Sequence, residues 1–465
     1  MLPFPWDEGA LHLFQMGGRA LLFDVASSSL FAIDSLAASL IEEGRSRTAE
    51  ESLAAVSARQ GSEAERALDQ LDSFHRVGKL LGPDPAAGLR PPAIPYLKAL
   101  CLNLAHDCNL RCRYCFAGTG SFQGERGLMS NKVARAAIEM LLRDSGPLDR
   151  LEVDFFGGEP LLNFPVLRET VHYGKTRAAE TGKRIRFTLT TNALLLNEEV
   201  SDFLRQEEMR TVLSIDGRPQ DHDRLRSFPD GKSSQALVLD RIHRFLDHCP
   251  QPLYYLRGTF TALTSDFYAN TLYLADLGYQ DISMEPVVAS PEEPYALLPG
   301  HLPELSRQYE RLAEEIARRE ENGAPLRFFH FEVDTTGLSC LSKRLSGCGA
   351  GVEYLAVTPK GTLYPCHQFI GREGFILGAV EGGITRRDTQ DAFRRLSFLE
   401  KESCPTCWAR TLCSGGCHAN AHLQNGDLHK PDMLGCALTR KRMECALYLK
   451  LRRKERKARL DGPSH

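Results

Sequence analysis

Cys108, Cys112 and Cys115 stand in the run His-Asp-Cys-Asn-Leu-Arg-Cys-Arg-Tyr-Cys-Phe, a C-x3-C-x2-C spacing with Tyr114 directly before the last cysteine. Three thiolates on one short loop hold three irons of a [4Fe–4S] cube and leave the fourth iron without a protein ligand. An iron with a free position binds and reduces a small molecule, whereas a fully ligated cube only passes electrons. The competing reading is a zinc loop one ligand short. The spacing, the aromatic residue and the strand-like run just upstream speak against zinc.

A second cysteine field lies near the other end. The chain has 14 cysteines: none in residues 1–100, four in 101–115, nine in 340–445, with Cys249 apart. Disulfides rarely persist in a reducing compartment, so metal ligation is the natural use for so many. Cys348 is followed by Gly361 and Cys366, then by Cys404-x2-Cys407-x5-Cys413-x3-Cys417 and Cys436. Two closed cubes need eight thiolates and this pattern offers seven. Cys101 and Cys249 read as buried small hydrophobes, and Cys445 as a spare ligand at most.

Polar groups recur at the ends of predicted strands. One strand runs out into Phe156-Gly157-Gly158-Glu159-Pro160, where two glycines let the backbone approach a ligand and a carboxylate can accept from an ammonium group. The next two end in Thr190-Thr191-Asn192 and Ser214-Ile215-Asp216-Gly217, and Arg257 sits in the strand after those. Gly-Gly and Asp-Gly also mark ordinary turns. Several such ends on one rim make a polar site.

The elements that must position these residues follow from periodicity. Strands are expected at 98–104, 151–156, 185–190, 211–215, 254–261 and 281–287. Helices are expected near 130–143, 164–179, 197–206, 235–247, 267–277 and 302–321. Six β/α units imply a parallel sheet with helices outside and chemistry at one rim. Upstream, 10–33 reads as three short strands. Helices follow, capped by Asp34 and Thr48, with a third ending near Gly78. Residues 82–95 have linker composition. The stretch 440–459 reads as a basic, solvated helix, with docking to an acidic partner as the weaker reading.

These motifs resemble the radical S-adenosylmethionine (SAM) superfamily, and the seven-cysteine pattern resembles its SPASM domain. Further stretches resemble the maturases of six-cysteine (SCIFF) peptides. They are Lys98-Ala-Leu-Cys-Leu-Asn-Leu-Ala-His-Asp-Cys108, Arg344-Leu-Ser-Gly-Cys-Gly-Ala-Gly351, Glu353-Tyr-Leu-Ala-Val-Thr-Pro359 and Leu363-Tyr-Pro-Cys-His-Gln368.

The resemblance implies an α/β fold: a partial (β/α)6 barrel over 96–330, an N-terminal winged-helix-like leader-peptide-binding domain over 1–88, a SPASM domain over 336–446 and a basic tail over 447–465. It implies SAM and three [4Fe–4S] clusters as cofactors. Cys108, Cys112 and Cys115 would hold the first cluster. Cys404, Cys407, Cys413 and Cys436 would close an auxiliary one, and Cys348, Cys366 and Cys417 would hold another, with Cys340 or an open iron in its fourth position. Tyr114, Gly157, Gly158, Glu159, Thr190, Asn192, Ser214, Asp216 and Arg257 would contact SAM or its rim. The stretch Asp216–Arg226 resembles a family segment behind that site, with a structural salt bridge an equal role for Arg226. His367 stands where sulfatase-maturing relatives carry an aspartate base, as a proton acceptor or a cluster hydrogen-bond donor.

The implied reaction is thioether cross-linking of a ribosomally made Cys-rich precursor peptide, through hydrogen abstraction by a 5′-deoxyadenosyl radical. A flavodoxin or ferredoxin would donate electrons. Another SPASM-type maturase or dehydrogenase, of the quinohemoprotein kind, and a non-catalytic iron–sulfur protein are the alternatives.

Composition sets outer bounds. The chain has 465 residues, 42% hydrophobic and 25% charged, and a net charge of −3. That charge argues neither for nor against nucleic acid, and no nucleic-acid partner is expected. No apolar run reaches the ~20 residues a membrane helix needs, and no signal peptide is read at the N-terminus. A cytoplasmic protein with no membrane partner is the expectation.

Overall fold

The computed structural model describes residues 2–7, 9–61, 63–84, 86, 88–90, 96–248, 253–335 and 345–461. Cys249 and Cys340 lie outside these. The first strands, β1 (Leu11–Met16), β2 (Arg19–Asp24) and β3 (Leu30–Ile33), form an antiparallel sheet in that order. Helices α1 (Ser35–Glu43), α2 (Ala49–Gln60) and α3 (Glu63–Arg76) follow. The expected caps are in place. Asp34 accepts from Ala37 N, and Thr48 forms a reciprocal capping box with Glu51. One sheet face packs Leu22 against Leu40, Ile41 and Val56 of the helices, while Phe14, Leu21 and Phe23 join the main core. Alternation along β2 therefore sends successive side chains to two different cores.

The central sheet is built from β4 (Ala99–Ala105), β5 (Arg150–Gly157), β6 (Arg184–Thr191), β7 (Arg210–Ser214), β8 (Tyr254–Phe260) and β9 (Asp281–Pro286), each parallel to the next. Between and after them run α4 (Asn131–Asp144), α5 (Phe164–Glu180), α6 (Glu198–Gln206), α7 (Pro219–Leu225), α8 (Gln235–His248), α9 (Phe267–Asp276) and α10 (Leu302–Glu321). Every expected strand and helix of this region lies within two residues of its sequence assignment.

The sheet extends further than six strands. Short β10 (Arg327–Phe328) pairs with β9. On the other side β11 (Tyr354–Val357) pairs parallel with β4, and β12 (Thr362–Tyr364), β13 (Gly378–Ala379) and β14 (Gly383–Ile384) continue antiparallel, giving 11 strands. The cysteine-rich C-terminal region is thus hydrogen-bonded onto the edge strand that precedes the Cys108 loop. It continues through α11 (Arg387–Arg394), α12 (Arg410–Cys413), α13 (His418–Asn425) and α14 (Met433–Asp461).

Parallel strands covered on both faces usually read as unbroken apolar runs. Here β5 and β6 alternate. Leu151, Val153 and Phe155, and Ile185, Phe187 and Leu189, are buried in the main core. Asp154 and Phe156, and Thr188 and Thr190, face the opposite way into a cavity. The polar inner face is a sequence signal for a ligand-holding interior.

The C-terminal stretch differs from its expectation. Helix α14 is one element of 29 residues, so a boundary at 447 falls inside it. Leu438, Cys445, Leu447 and Leu449 are buried in the main core, where the charged neighbours of Cys445 are Lys441, Glu444 and Glu310, so it packs as a small hydrophobe. The basic residues of α14 meet acidic α10: Lys441 pairs with Glu310 and Arg453 with Glu320, both at 2.7 Å. The acidic partner of this basic helix is in the chain itself. Among the described residues no helix is long and apolar enough to cross a membrane.

Candidate functional site

A cavity of about 370 Å³ opens at the carboxyl ends of the central strands. Cys108, Cys112 and Cys115 all line it, as do Tyr114, Gly157, Gly158, Thr190, Asn192, Ser214, Arg257 and His367. Sequence separations of up to 259 residues, from Cys108 to His367, close onto one space because the β4–β9 strand ends share a rim and β11 docks the C-terminal region beside β4.

The cysteine loop is held from both sides. Arg111 N and Arg113 N donate to Ser227 O and Leu225 O, each at 2.8 Å, so the end of α7 grips it. Leu110 N donates to the Cys108 sulfur at 3.4 Å, and Asn192 Nδ2 approaches the same sulfur at 3.7 Å while donating to Asn109 Oδ1 at 2.7 Å. Burial pushes the Cys108 thiol up to about 11 and Cys112 up to about 12.

Tyr114 is fixed by a buried ion pair behind the loop. Its hydroxyl donates to Asp216 Oδ2 at 2.6 Å and accepts from Arg226 Nη1 at 2.9 Å. Arg226 lies 3.6 Å from Asp216, which also accepts from Thr259 N at 3.0 Å. Asp216 is therefore not a rim group: at 3% exposure it is off the cavity wall and anchors Tyr114 and Arg226. Arg226 reaches the cavity wall while carrying the salt bridge.

Glu159 departs from expectation in the same way. It is fully buried, and its carboxylate accepts from Leu161 N at 3.0 Å, Thr191 Oγ1 at 2.8 Å and Asn192 N at 2.8 Å. It faces its own chain instead of the cavity and sets the backbone that presents Asn192. The glycines before it answer a packing demand. A Cβ on Gly157, at φ +134°, would strike Ala105 O, and one on Gly158 would strike Asp107 O. Both glycines let the end of β5 press against the cysteine loop.

Sequence reasoning missed several wall residues. Asp154, Thr188 and Tyr255 face inward below the rim, with Cys101 and Tyr354 beside them. Burial raises the Asp154 carboxyl to about 6, with Thr188 as its hydrogen-bond donor. Glu285 on β9 meets His330 at 2.9 Å and Arg257 at 3.9 Å. Arg257 thus has a counter-ion within the chain. The signal for all of these was the period-2 alternation of the strands. His367 stacks on Phe156 with ring centres 4.8 Å apart and places Nδ1 3.3 Å from the Tyr354 hydroxyl. Burial first, and then Arg257, holds this imidazole down at about 4.

The second cysteine field divides in space. Cys404, Cys407, Cys413 and Cys436 are mutual electrostatic neighbours. Cys366, Cys348 and Cys417 form another set.

The all-sulfur donor sets, three on the first loop and four and three in the second field, fit iron–sulfur clusters in their chemistry. The three sulfurs of the first field line the cavity, and buried polar atoms without a hydrogen-bond partner lie near both fields. Arg226 Nε beside the first field and His418 Nδ1 beside Cys417 have no partner.

Comparison with known proteins agrees with this geometry. Residues 99–238 match the family model of a 4Fe-4S single cluster domain. An uncharacterized protein of Methanocaldococcus jannaschii is 34% identical over 139 residues, 30% of this chain, and the match spans only 45% of that protein's length. The radical SAM cyclopropyl synthase TigE of Paramaledivibacter caminithermalis is 20% identical over 74% of this chain and 72% of its own. Among solved structures, native anSMEcpe with bound AdoMet and Cp18Cys peptide superposes with a TM-score of 0.63 at 19% identity, covering 77% of this chain and all of that one. SuiB of Streptococcus suis bound to precursor peptide SuiA gives 0.54 at 15%, covering 92% of this chain and 99% of that one. This chain shares its mixed α/β fold, with a large, mostly parallel sheet, with these two solved structures.

Proposed function

We propose that this chain, whose fold and cysteine motifs are those of the radical SAM/SPASM maturases, is a peptide-modifying enzyme that joins a cysteine sulfur to a carbon within a ribosomally made precursor. The observation that carries the reading is one cavity shared by three loop cysteines, a polar strand-end rim and a residue next to a second-field cysteine, His367. Cys108, Cys112 and Cys115 would hold a [4Fe–4S] cluster, which supplies the electron for reductive cleavage of SAM and so for hydrogen abstraction from the peptide.

The chain's own residues bind, orient and accept protons. Gly157, Gly158, Thr190, Asn192 and Ser214 offer backbone and hydroxyl contacts to SAM, and Arg257 a cation for its carboxylate. Glu159 and Asp216 act by positioning Asn192 and Tyr114. Forming a C–S bond from C–H and S–H removes two hydrogens: one as an atom, the other as a proton and an electron. Asp154, held near 6, is the better match for the thiol proton. His367, held near 4, is a neutral imidazole that orients Tyr354 and serves as the weaker acceptor. Cys404, Cys407, Cys413 and Cys436, and Cys348, Cys366 and Cys417 with Cys340 or an open iron, would hold two auxiliary clusters to accept the electron.

The N-terminal sheet supports a peptide partner. Strand β3 is its outer strand and pairs only with β2 among the described strands, leaving a free edge. Such an edge admits an extended segment as a further strand, so residues 1–88 would hold the leader. Sheet and cysteine-rich region are docked: His12 stacks on Trp408 at 3.7 Å, and Arg410 pairs with Asp84 at 3.1 Å. Co-expression with a neighbouring Cys-rich precursor, followed by mass spectrometry, tests the reading. A loss of two hydrogens per cross-link, with that cysteine no longer alkylatable, supports it. An unchanged mass with active SAM cleavage points to another reaction.

A further inference from the structure

Lys401 is 1% exposed. Its Nζ donates to Gly415 O at 2.8 Å, and among the described residues it forms no ion pair with a carboxylate. Burial pulls its pKa down, and the sulfurs of Cys404, Cys417, Cys413 and Cys436 act the other way when charged. Three of these belong to one cysteine set and Cys417 to the other. Gly415 lies in the short link from Cys413 to Cys417, and Cys404 N donates to Lys401 O at 3.3 Å, so the ammonium is held against the segment that joins the two sets.

Burying an ammonium is costly even after relaxation, and one neutral carbonyl does not offset it. A cysteine thiol carries no charge, whereas a metal-bound thiolate does. Among the described residues no carboxylate pairs with it, and the neighbouring cysteine sulfurs become anionic once they bind metal. A hydrophobic residue of similar length would fill the same space without that cost, so packing alone does not account for an ammonium here.

We propose that Lys401 is the shared counter-ion of both auxiliary clusters and holds their potentials up together. The inference rests on the assignment of the two cysteine sets as cluster ligands. A fixed positive charge favours the state that has gained an electron. Held against the segment that joins the two sets, it makes both clusters better acceptors and keeps their potentials close, which suits passage of an electron from one to the other. Lys401 is in this sense a positioning and tuning residue that touches no substrate.

The test is a redox titration of the anaerobically reconstituted full-length enzyme, followed by electron paramagnetic resonance. Lys401→Met is expected to lower the reduction equilibrium constant of both auxiliary clusters at least tenfold, or 59 mV for a one-electron couple. The cluster on Cys108, Cys112 and Cys115 should keep its potential, and Lys401→Arg should restore most of the loss. Unchanged auxiliary potentials at full iron content overturn the proposal, as does a shift confined to one cluster. Should Lys401→Met fail to load iron, unsubstituted enzyme carrying 15N-lysine decides. Electron spin-echo modulation from a lysine nitrogen at both reduced auxiliary clusters supports the proposal, and its absence from either overturns it. Iron for a single cube in the unsubstituted enzyme would instead refute the ligand assignment itself.

Discussion

The two cysteine fields solve opposite problems. In the first, three sulfurs lie within eight residues of one loop and face a cavity that also collects hydroxyls, an amide and two arginines. In the second, seven sulfurs come from segments spread over 89 residues, and a buried lysine lies among them. The first leaves a position open toward solvent-accessible space. In the second, Cys404 is buried while Cys348 and Cys417 are exposed, and the sulfurs fall into a set of four and a set of three. Three sulfurs beside a cavity suit binding and reduction of a small molecule, and a set of four sulfurs suits holding and passing an electron.

The sharpest break in that contrast comes from removing one sulfur on each side. Cys112→Ala is expected to abolish formation of 5′-deoxyadenosine from SAM while the second field keeps its iron. Cys404→Ala is expected to leave SAM cleavage detectable while peptide modification disappears. Iron analysis and product chromatography on the same preparations read both outcomes, and loss of SAM cleavage in both variants would erase the distinction.

Asp154 sharpens the role of the open cavity. Asp154→Asn should reduce cross-link formation by about 10²–10⁴-fold, the usual contribution of a positioned proton acceptor, with SAM cleavage retained. The same variant should be more stable at pH 7–8. The folded carboxyl is raised from 3.8 to about 6, so its favourable contribution is present below pH 3.8 and lost as pH rises through 6. Replacing an ionised, half-buried carboxylate therefore gains on the order of 1 kcal/mol above pH 6, and thermal melts at pH 8 and pH 4 should show the gain only at the higher pH.

The smallest effect concerns acid. Burial holds His367 at the first cavity and His418 behind the second field at about 4, below the ordinary 6.5. Depressed histidines contribute no penalty above 6.5. As pH falls from 6.5 toward 4 the unfolded chain takes up protons that the native chain refuses, and stability drops. Melting temperature should fall through that window, and His418→Gln should flatten part of the slope. An unchanged slope would show that another group governs it.

Much of this site was legible in the chain because its signals are local. The C-x3-C-x2-C spacing, the Gly-Gly-Glu turn and the caps at Asp34 and Thr48 each depend on a few neighbouring residues. Glu159 and Asp216 were misplaced because a carboxylate at a strand end reads the same whether it turns toward a ligand or back into the chain. Their direction is decided by Thr191, Asn192, Tyr114 and Arg226, which arrive from other strands and loops. Asp154 was visible only as one beat of an alternation whose inner face had not yet been located.

The sequence by itself determined the ligand chemistry, the order of β/α units and the hydrophobic faces, since spacing and periodicity follow from covalent connectivity and the pitch of helix and strand. Only the tertiary structure decided that β11 pairs with β4, that His367 shares the cavity of Cys108, that basic α14 lies on acidic α10, and that Lys401 is held against the segment joining two sets of cysteines. Those outcomes depend on which distant surfaces bury each other, and no local pattern encodes the distance between two segments until a common core has drawn them together.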